Sequence, residues 1–257
     1  RSSDLITPHS TYATDPDLLR ESLELAEEFD AVWSTHCAES ADETAQCLDK
    51  HGKRPLALLA DNGLLGPRTL LAHCVDITDE EIELLADTGT CVAHCPQSNL
   101  KLGNGMAPIQ RMLEAGVTLA LGTDGASSNN DLNLFGEMQT AALLQKGLFR
   151  EPTALTAATA LDMATRHGAE SLNLPGLGRL EPGSAADMTA LDLTQPNLLP
   201  CYEPASHAVY AATGHEVRMT MVAGRMVYMD GEYPSIDYPA LRAGMAEAAR
   251  WMLAQRT

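Results

Sequence analysis

The chain contains 257 residues, of which 45% are hydrophobic and 20% are charged, so it is long enough for one or two globular domains. This composition excludes collagen, a coiled coil and extended disorder as the main architecture, and the apolar runs are too short to cross a bilayer. Thirty-five acidic residues against 17 basic ones give a formal net charge of −18, which argues against nucleic acid or an anionic membrane surface as a partner.

Five short apolar runs alternate with amphipathic segments over the first two-thirds of the chain. Near-continuous apolar runs are typical of buried parallel strands, and amphipathic helices between them are typical of crossover connections. The alternation therefore predicts an α/β fold with a parallel sheet. The predicted strands are Leu5–Thr7, Ala31–Ser34, Thr69–Ala72, Thr90–Ala93 and Val117–Leu121.

Specific residues mark where the intervening helices begin and end. Ser40 with Glu43, and Thr78 with Glu81, fit the capping box, in which each side chain bonds the other residue's free backbone N–H. Gly89 follows an amphipathic run, and glycine tolerates the left-handed conformation with which helices commonly end. These signals predict helices that start after residues 40 and 78.

The chain changes character near residue 175. A stretch rich in glycine and proline leads to a strand-like run at 187–191, a hairpin-like run at 217–229 and a final amphipathic helix at about 237–255. We therefore expect three parts, which are an α/β part at residues 1–176, a small β segment at 177–234 and a C-terminal helix at 235–257.

Three of the six cysteines, Cys37, Cys74 and Cys95, directly follow a histidine. Because neighbouring side chains on a strand point in opposite directions, we expect these cysteines to pack as small apolar residues. No Cys-x-x-Cys pair occurs, so we expect no disulfide framework and a reducing, cytoplasmic location. No signal peptide opens the chain, which starts with arginine as an internal segment would.

A histidine or an aspartate stands at or just beyond the end of each predicted strand. The carboxyl ends of the strands of a parallel barrel meet on one face, where active sites lie. Imidazole nitrogens and carboxylate oxygens are the usual ligands of catalytic zinc. A single residue of this kind is more often structural, but the set of five predicts that at least three of them share one functional site; the five are His9, His36, His73, His94 and Asp124.

Two local motifs add chemistry to this set. Glu39 stands three residues after His36, where a glutamate can exchange protons with an activated water; the alternative is a helix-capping or surface residue. In Gly122–Asn130 glycines flank Asp124, and we expect them to let the backbone turn tightly beside a bound group. An ordinary polar turn is the alternative here.

Several motifs together resemble a known family. They are Thr7–Ser10, His36–Glu39, Ala72–Cys74, Val92–Leu102, Gly122–Asn130, Ser184–Met188 and Val222–Val227. They are similar to the amidohydrolase superfamily, and most similar to its 5-methylthioadenosine/S-adenosylhomocysteine deaminases, near the chlorohydrolase and cytosine/guanine deaminase branch. The resemblance implies a (β/α)8 TIM-type metallo-dependent hydrolase barrel, of which this chain holds the second half, about strands 4–8, with part of a small β-sandwich domain.

The resemblance also implies roles for individual residues. His36 and Asp124 would bind the metal, while Glu39, His73 and Asp124 would be catalytic. The residues expected to contact substrate are His9, Glu39, His73 and Ser128. His94 would have a supporting role.

The implied activity is metal-dependent hydrolytic deamination of an adenosine-type nucleoside, in which metal-bound hydroxide attacks the ring carbon and ammonia leaves. The implied cofactor is one divalent metal ion, Zn²⁺ with Fe²⁺ as the alternative. The implied partners are a small nucleoside or heteroaromatic substrate and further copies of the chain in a homo-oligomer. Guanine, cytosine or an s-triazine is an alternative substrate.

The family's His-x-His pair, which completes the metal shell, does not occur in these 257 residues. Two explanations stay open at this point. The chain is the C-terminal part of a longer enzyme, or it is a short non-catalytic protein that pairs with another chain.

Overall fold

The computed structural model describes residues 4–255. They form two compact units. The first comprises the described residues up to Arg179 together with Pro200–Gly214, and the second comprises Leu180–Leu199 and the described residues from His215 onward. The division at residues 176 and 234 that the sequence suggests stays a proposal.

A sheet of five parallel strands organises the first unit. The strands are β1 (Leu5–Ile6), β2 (Val32–Cys37), β3 (Thr69–His73), β4 (Cys91–His94) and β5 (Leu119–Leu121). They pair in the sequential order β1-β2-β3-β4-β5, as successive strands of a TIM-type barrel do. The predicted α/β fold with a parallel sheet is therefore confirmed. Within residues 4–255 the sheet keeps β1 and β5 as outer strands and does not close.

Helices connect these strands and follow the last of them. They are α1 (Pro16–Glu28), α2 (Ala41–His51), α3 (Pro55–Asp61), α4 (Asp79–Thr88), α5 (Pro96–Leu102), α6 (Ile109–Glu114), α7 (Ala126–Asn129), α8 (Leu134–Phe149), α9 (Ala157–Ala164), α10 (Arg166–Ser171) and α11 (Pro204–Tyr210). Ser40 and Thr78 are the N-caps of α2 and α4, and Gly89 ends α4 with φ 69°, as predicted.

Alternate residues of the strands pack on opposite sides of the sheet. Trp33 and Leu71 lie in the main apolar core together with Leu19 of α1, whereas Val32 and Leu70 belong to a separate cluster. This period of two is expected for a strand, and it means that a parallel sheet with both faces buried needs apolar residues throughout. The continuous apolar runs in the sequence have this cause.

The cysteines that follow the three histidines are buried, as predicted. Cys37 and Cys74 lie in the main core and are fully buried, and Cys95 is 3% exposed. All six cysteines of the chain are free.

The second unit contains an antiparallel sheet and a long helix. Its elements are β6 (Met188–Leu191), a 3₁₀ turn (Pro196–Leu198), β7 (Val217–Val222), β8 (Arg225–Met229) and α12 (Tyr238–Ala254). The strand order is β6-β7-β8, and β7 and β8 form the predicted hairpin. Among the helices of residues 4–255, none is both long enough and apolar enough to cross a membrane.

The capping box at Thr78 provides a test of the local structure. Thr78 Oγ1 accepts a hydrogen bond from Glu81 N at 3.3 Å, and the Glu81 carboxylate accepts one from Thr78 N at 2.9 Å. We expect Thr78→Ala to lower the free energy of unfolding by about 1 kcal/mol, since it removes the acceptor. Thr78→Ser keeps the hydroxyl and should unfold like the wild type. Chemical denaturation of the three proteins makes the comparison, and an alanine variant as stable as the serine variant would contradict the assignment.

Candidate active site

The carboxyl ends of β2 and β3 bring three histidines together. The segment after β1 stays beside β2, because His36 N and Thr35 Oγ1 both donate to the His9 carbonyl oxygen at 3.0 Å. The ring centroids of His9 and His36 lie 5.0 Å apart, and so do those of His36 and His73. His36 Nδ1 lies 2.9 Å from His73 Nε2, so two imidazole nitrogens face each other.

Glu39 completes a group of potential metal ligands. One ligand atom from each of His36, Glu39 and His73 lies within 4.8 Å of the other two. Ala38 has a left-handed backbone with φ 50°, which turns the chain just after the end of β2 and just before Glu39. Asn104 Nδ2 donates to Glu39 Oε1 at 2.9 Å and holds the carboxylate in place. Imidazole nitrogen and carboxylate oxygen at this spacing fit a divalent metal ion such as zinc.

A buried glutamate supports the turn that carries Glu39. Ser40 Oγ accepts from Glu43 N at 3.2 Å, but the Glu43 carboxylate does not complete the predicted capping box. It accepts instead from Glu39 N at 2.6 Å and from Thr11 Oγ1 at 2.9 Å. Burial raises the pKa of Glu43, and these two hydrogen bonds oppose the shift. The carboxylate thus ties the segment that follows His9 to the Glu39 turn.

Asp124 lies three residues beyond the end of β5. Its Oδ2 accepts hydrogen bonds from Ser98 Oγ and Ser128 Oγ, each at 2.6 Å. Burial alone would raise the pKa of Asp124, but these bonds, together with a backbone hydrogen bond from Gly125 and the effect of His73, outweigh burial and hold the pKa below its usual value. The carboxylate is therefore ionised at neutral pH, as a metal ligand or proton acceptor must be.

The tight turn at this position is made by the aspartate itself. Asp124 has φ 59°, whereas Gly125 has φ −77°, which any residue can adopt. Gly122 is needed for a different reason, because a Cβ there would lie 3.1 Å from Cys95 Sγ. The expectation that the flanking glycines supply the turn is therefore wrong.

A left-handed backbone at His73 and Cys74 directs the His73 side chain into the site. The strand register pairs Cys37 with His73, so regular alternation would point both side chains to the same side. Cys37 lies in the main core, yet His73 meets His36, because φ is 76° at His73 and 46° at Cys74. Asn99 Oδ1 lies 2.8 Å from His73 Nδ1 and fixes the ring. Such backbone conformations cost of order 1–3 kcal/mol and cluster at functional sites.

The surroundings of His36 favour a neutral imidazole. Burial is the main cause that lowers the pKa of His36, and the neighbouring His73 lowers it further. The charges of Glu39 and Asp124 act in the opposite direction without reversing the shift. A neutral imidazole has a free electron pair, which metal binding requires.

The two remaining residues predicted to contact substrate differ in their surroundings. His9 is exposed beside His36, and its Nδ1 lies 3.0 Å from Ser10 Oγ. Ser128 is 9% exposed, and its hydroxyl donates to Asp124. His9 is therefore open to a ligand, whereas Ser128 is engaged inside the site.

His94, at the end of β4, lies outside the group of ligand atoms around His36. It is 1% exposed, and neither ring nitrogen has a hydrogen-bond partner among residues 4–255. Burial, with a smaller contribution from His73, lowers the pKa of His94 to about 3. The ring is therefore neutral at physiological pH.

A short stretch after β4 holds the site together, a role that was not predicted from the sequence. We call residues 98–104 the positioning segment, because Ser98, Asn99 and Asn104 each hydrogen-bond a different candidate site residue. Ser98 and Asn99 lie in the motif that follows the fourth predicted strand, and that location was the available signal. Asn104 is 65 residues from its partner Glu39, so no local pattern could indicate the contact.

The chain matches a known family and named relatives. The model described as "Amidohydrolase family" matches residues 3–227. A protein of Nitratidesulfovibrio vulgaris (strain DSM 19637 / Miyazaki F) named 5-methylthioadenosine/S-adenosylhomocysteine deaminase is 54% identical over 248 residues, which are 96% of this chain and 56% of that protein. The chain thus spans about half the length of the curated relatives it matches.

Two solved structures share the fold over nearly the whole chain. An adenosine deaminase from Xanthomonas campestris with bound zinc is 37% identical with a TM-score of 0.92, covering 97% of this chain and 56% of that protein. Atrazine chlorohydrolase TrzN from Arthrobacter aurescens TC1, complexed with zinc, is 30% identical with a TM-score of 0.89, covering 94% of this chain and 53% of that protein. These similarities confirm the fold class expected from the sequence.

The low pKa of His94 has a consequence for stability. Between pH 6.5, its ordinary pKa, and about pH 3, the unfolded chain binds a proton that the folded chain does not. The contribution of neutral His94 to stability is therefore complete above pH 6.5 and decreases as the pH falls. We expect the proton linkage of this residue to lower the free energy of unfolding of the wild type by about 2 kcal/mol between pH 7 and pH 5.

The variant His94→Met keeps the bulk of the side chain without a titrating group. Its free energy of unfolding should therefore fall by about 2 kcal/mol less than that of the wild type between pH 7 and pH 5. Chemical denaturation of both proteins at the two pH values measures the difference. The same pH dependence in both would contradict the prediction.

Proposed function

The chain belongs to the amidohydrolase family, and on this premise we propose that it forms the catalytic part of a metal-dependent hydrolytic deaminase of adenosine-type nucleosides. The observation that supports this most strongly is the meeting of His36, His73 and Glu39 in one group. Asp124 lies outside that group, but it is ionised and its charge acts on His36. The name of the relative at 54% identity supports a 5′-methylthioadenosine- or S-adenosylhomocysteine-like substrate. A purine nucleoside of this class is the substrate that we propose.

We propose that His36 and Asp124 bind the metal and that His73 orients the attacking water. Since Asn99 Oδ1 can only accept, His73 Nδ1 donates to it, and the free electron pair of His73 lies on Nε2, which faces His36. Zinc in two solved relatives supports Zn²⁺ as the metal, with Fe²⁺ as the alternative. When bound, the ion supplies a water whose pKa is lowered toward ~7.

Glu39 and Asp124 would carry the protons of the reaction. Glu39, held by Asn104, would take one proton from the attacking water and deliver it to the purine ring nitrogen while the neighbouring carbon is attacked. Asp124, kept ionised by Ser98 and Ser128, would accept a proton from the water and pass it to the departing ammonia. Two carboxylates in different surroundings can divide the acid and base roles in this way.

Substrate contacts are assigned to four residues. The exposed ring of His9 is open to the purine or its ribose, and Ser128 would add a further contact to the purine or its ribose beside its bond to Asp124. Glu39 and His73 would contact the ring at the reacting atoms. Assembly as a homo-oligomer and a cytoplasmic location are part of the same proposal, and the six free cysteines are in keeping with a reducing compartment.

A substrate survey tests the proposed activity. The protein expressed from its complete reading frame should contain a stoichiometric divalent metal and release ammonia from 5′-methylthioadenosine or S-adenosylhomocysteine. Guanine, cytosine and s-triazines are assayed in parallel, because one solved relative is an atrazine chlorohydrolase. An intact mass near 27.5 kDa, without metal and without turnover, would instead support the non-catalytic alternative.

Three variants separate metal binding from proton transfer. Glu39→Gln should keep its metal but lower kcat by roughly 10²–10⁴-fold, because the amide cannot exchange the proton. His36→Ala should lose metal and turnover together. Asp124→Asn should remove measurable turnover while the protein stays folded. Metal analysis, ammonia release and circular dichroism give the three readouts.

The matched control for these variants is Glu24→Gln, which makes the same chemical change at an exposed residue of α1. It should behave like the wild type in all three measurements. Full turnover by Glu39→Gln or by Asp124→Asn would exclude the role assigned to that residue.

A further inference from the structure

A buried carboxylate on α8 lies next to the positioning segment without touching any candidate catalytic residue. Glu137 is 0% exposed. Its Oε2 accepts a hydrogen bond from Gln97 N at 3.1 Å, and its Oε1 accepts one from Asn129 Nδ2 at 2.5 Å. A fully buried glutamate is uncommon, and both of its oxygen atoms are paired here.

Both partners of Glu137 stand directly beside residues that orient the site. Gln97 precedes Ser98 at the start of α5, and Asn129 follows Ser128 at the end of α7. Ser98 and Ser128 are the two hydroxyl donors to Asp124. One carboxylate therefore joins the two backbone segments that meet at Asp124.

The chemistry of the partners requires a carboxylate. Gln97 N is a backbone donor, and the Asn129 side chain is fixed as a donor because its own Oδ1 accepts from Leu132 N at 3.0 Å. A glutamine at position 137 could accept from one of them but would direct its NH₂ group at the other. Because the two donors face different oxygens of Glu137, a carboxylate satisfies both of them in this geometry.

We propose that Glu137 is a positioning residue of the active site: its carboxylate fixes α5 and α7 so that the side chains they carry hold Asp124 and His73. This assignment rests on the proposed deaminase function. It adds to the site a residue that bonds the neighbours of Ser98 and Ser128 and that stands 13 positions after Asp124 in the sequence. Groups that hydrogen-bond a metal ligand directly, as Ser98 and Ser128 do to Asp124, typically change metal affinity or activity by about 10–100-fold when they are removed, and Glu137 acts through these groups.

Gln145 offers a matched control on the same helix. It is also 0% exposed, and its side chain accepts from Gln110 N at 3.1 Å and donates to the Ala107 carbonyl at 2.9 Å. Neither of these partners bonds a candidate site residue. A defect caused only by loss of a buried hydrogen-bonded network should therefore appear equally in Gln145→Met and in Glu137→Gln.

The test compares both variants in the protein expressed from its complete reading frame. We expect the two substitutions to lower the thermal unfolding midpoint to a similar extent. Only Glu137→Gln should lower kcat by at least about tenfold, with KM changed less than about threefold, and weaken zinc binding by about tenfold in a chelator competition. Equal losses of kcat in both variants, or a Glu137→Gln protein with wild-type kcat and zinc affinity, would overturn the proposal.

The zinc measurement separates this proposal from the proposed function. If the wild type binds zinc but releases no ammonia from any substrate, the deaminase function fails, while weaker zinc binding by Glu137→Gln alone still supports the positioning role. A double-mutant cycle tests directly whether Glu137 acts through the hydroxyls of Ser98 and Ser128. In a Ser98→Ala, Ser128→Ala background, Glu137→Gln should reduce zinc affinity less than in the wild type; an undiminished effect would contradict action through these hydroxyls.

Discussion

Parallel pairing in sequential order is the constraint on which this site depends. Because β1 to β5 run in the same direction, their carboxyl ends lie along one edge of the sheet, and residues that are distant in the sequence become neighbours there. His36 and His73 are 37 positions apart, yet their ring nitrogens lie 2.9 Å apart. No helix and no single loop could hold such a group, so the chemistry is a property of the sheet.

The fold could be predicted because its signal is local. Apolar runs locate all five parallel strands, and capping residues locate the starts of α2 and α4. The bounds were less accurate where polar residues extend a strand. β2 continues through Thr35 and His36 to Cys37, since these residues stay paired with β3 although nothing in their polarity indicates a strand. Periodicity reports which side chains are buried, whereas hydrogen bonding decides where a strand ends.

The candidate site was predictable only in part. The residues at the strand ends could be listed, since their positions follow from the strands. The groups that orient them could not, because Asn104 reaches Glu39 across 65 residues and Glu137 reaches Gln97 across 40. Nor did the sequence indicate that the backbone turns on Asp124 itself rather than on a glycine. Contacts of this kind depend on tertiary packing, which leaves no local pattern.

At His73 and Asp124 the left-handed backbone costs conformational free energy, yet both positions carry side chains that can bind a metal or transfer a proton. Glycine would adopt both conformations without strain but could supply neither an imidazole nor a carboxylate. Selection for thermal stability alone would therefore favour glycine at two positions to which the proposed reaction assigns a role. The hydrogen bonds of Asn99, Ser98 and Ser128 hold the two side chains in place. Substitutions intended to raise the thermal stability of such a protein should therefore be made at surface positions and not at His73 or Asp124.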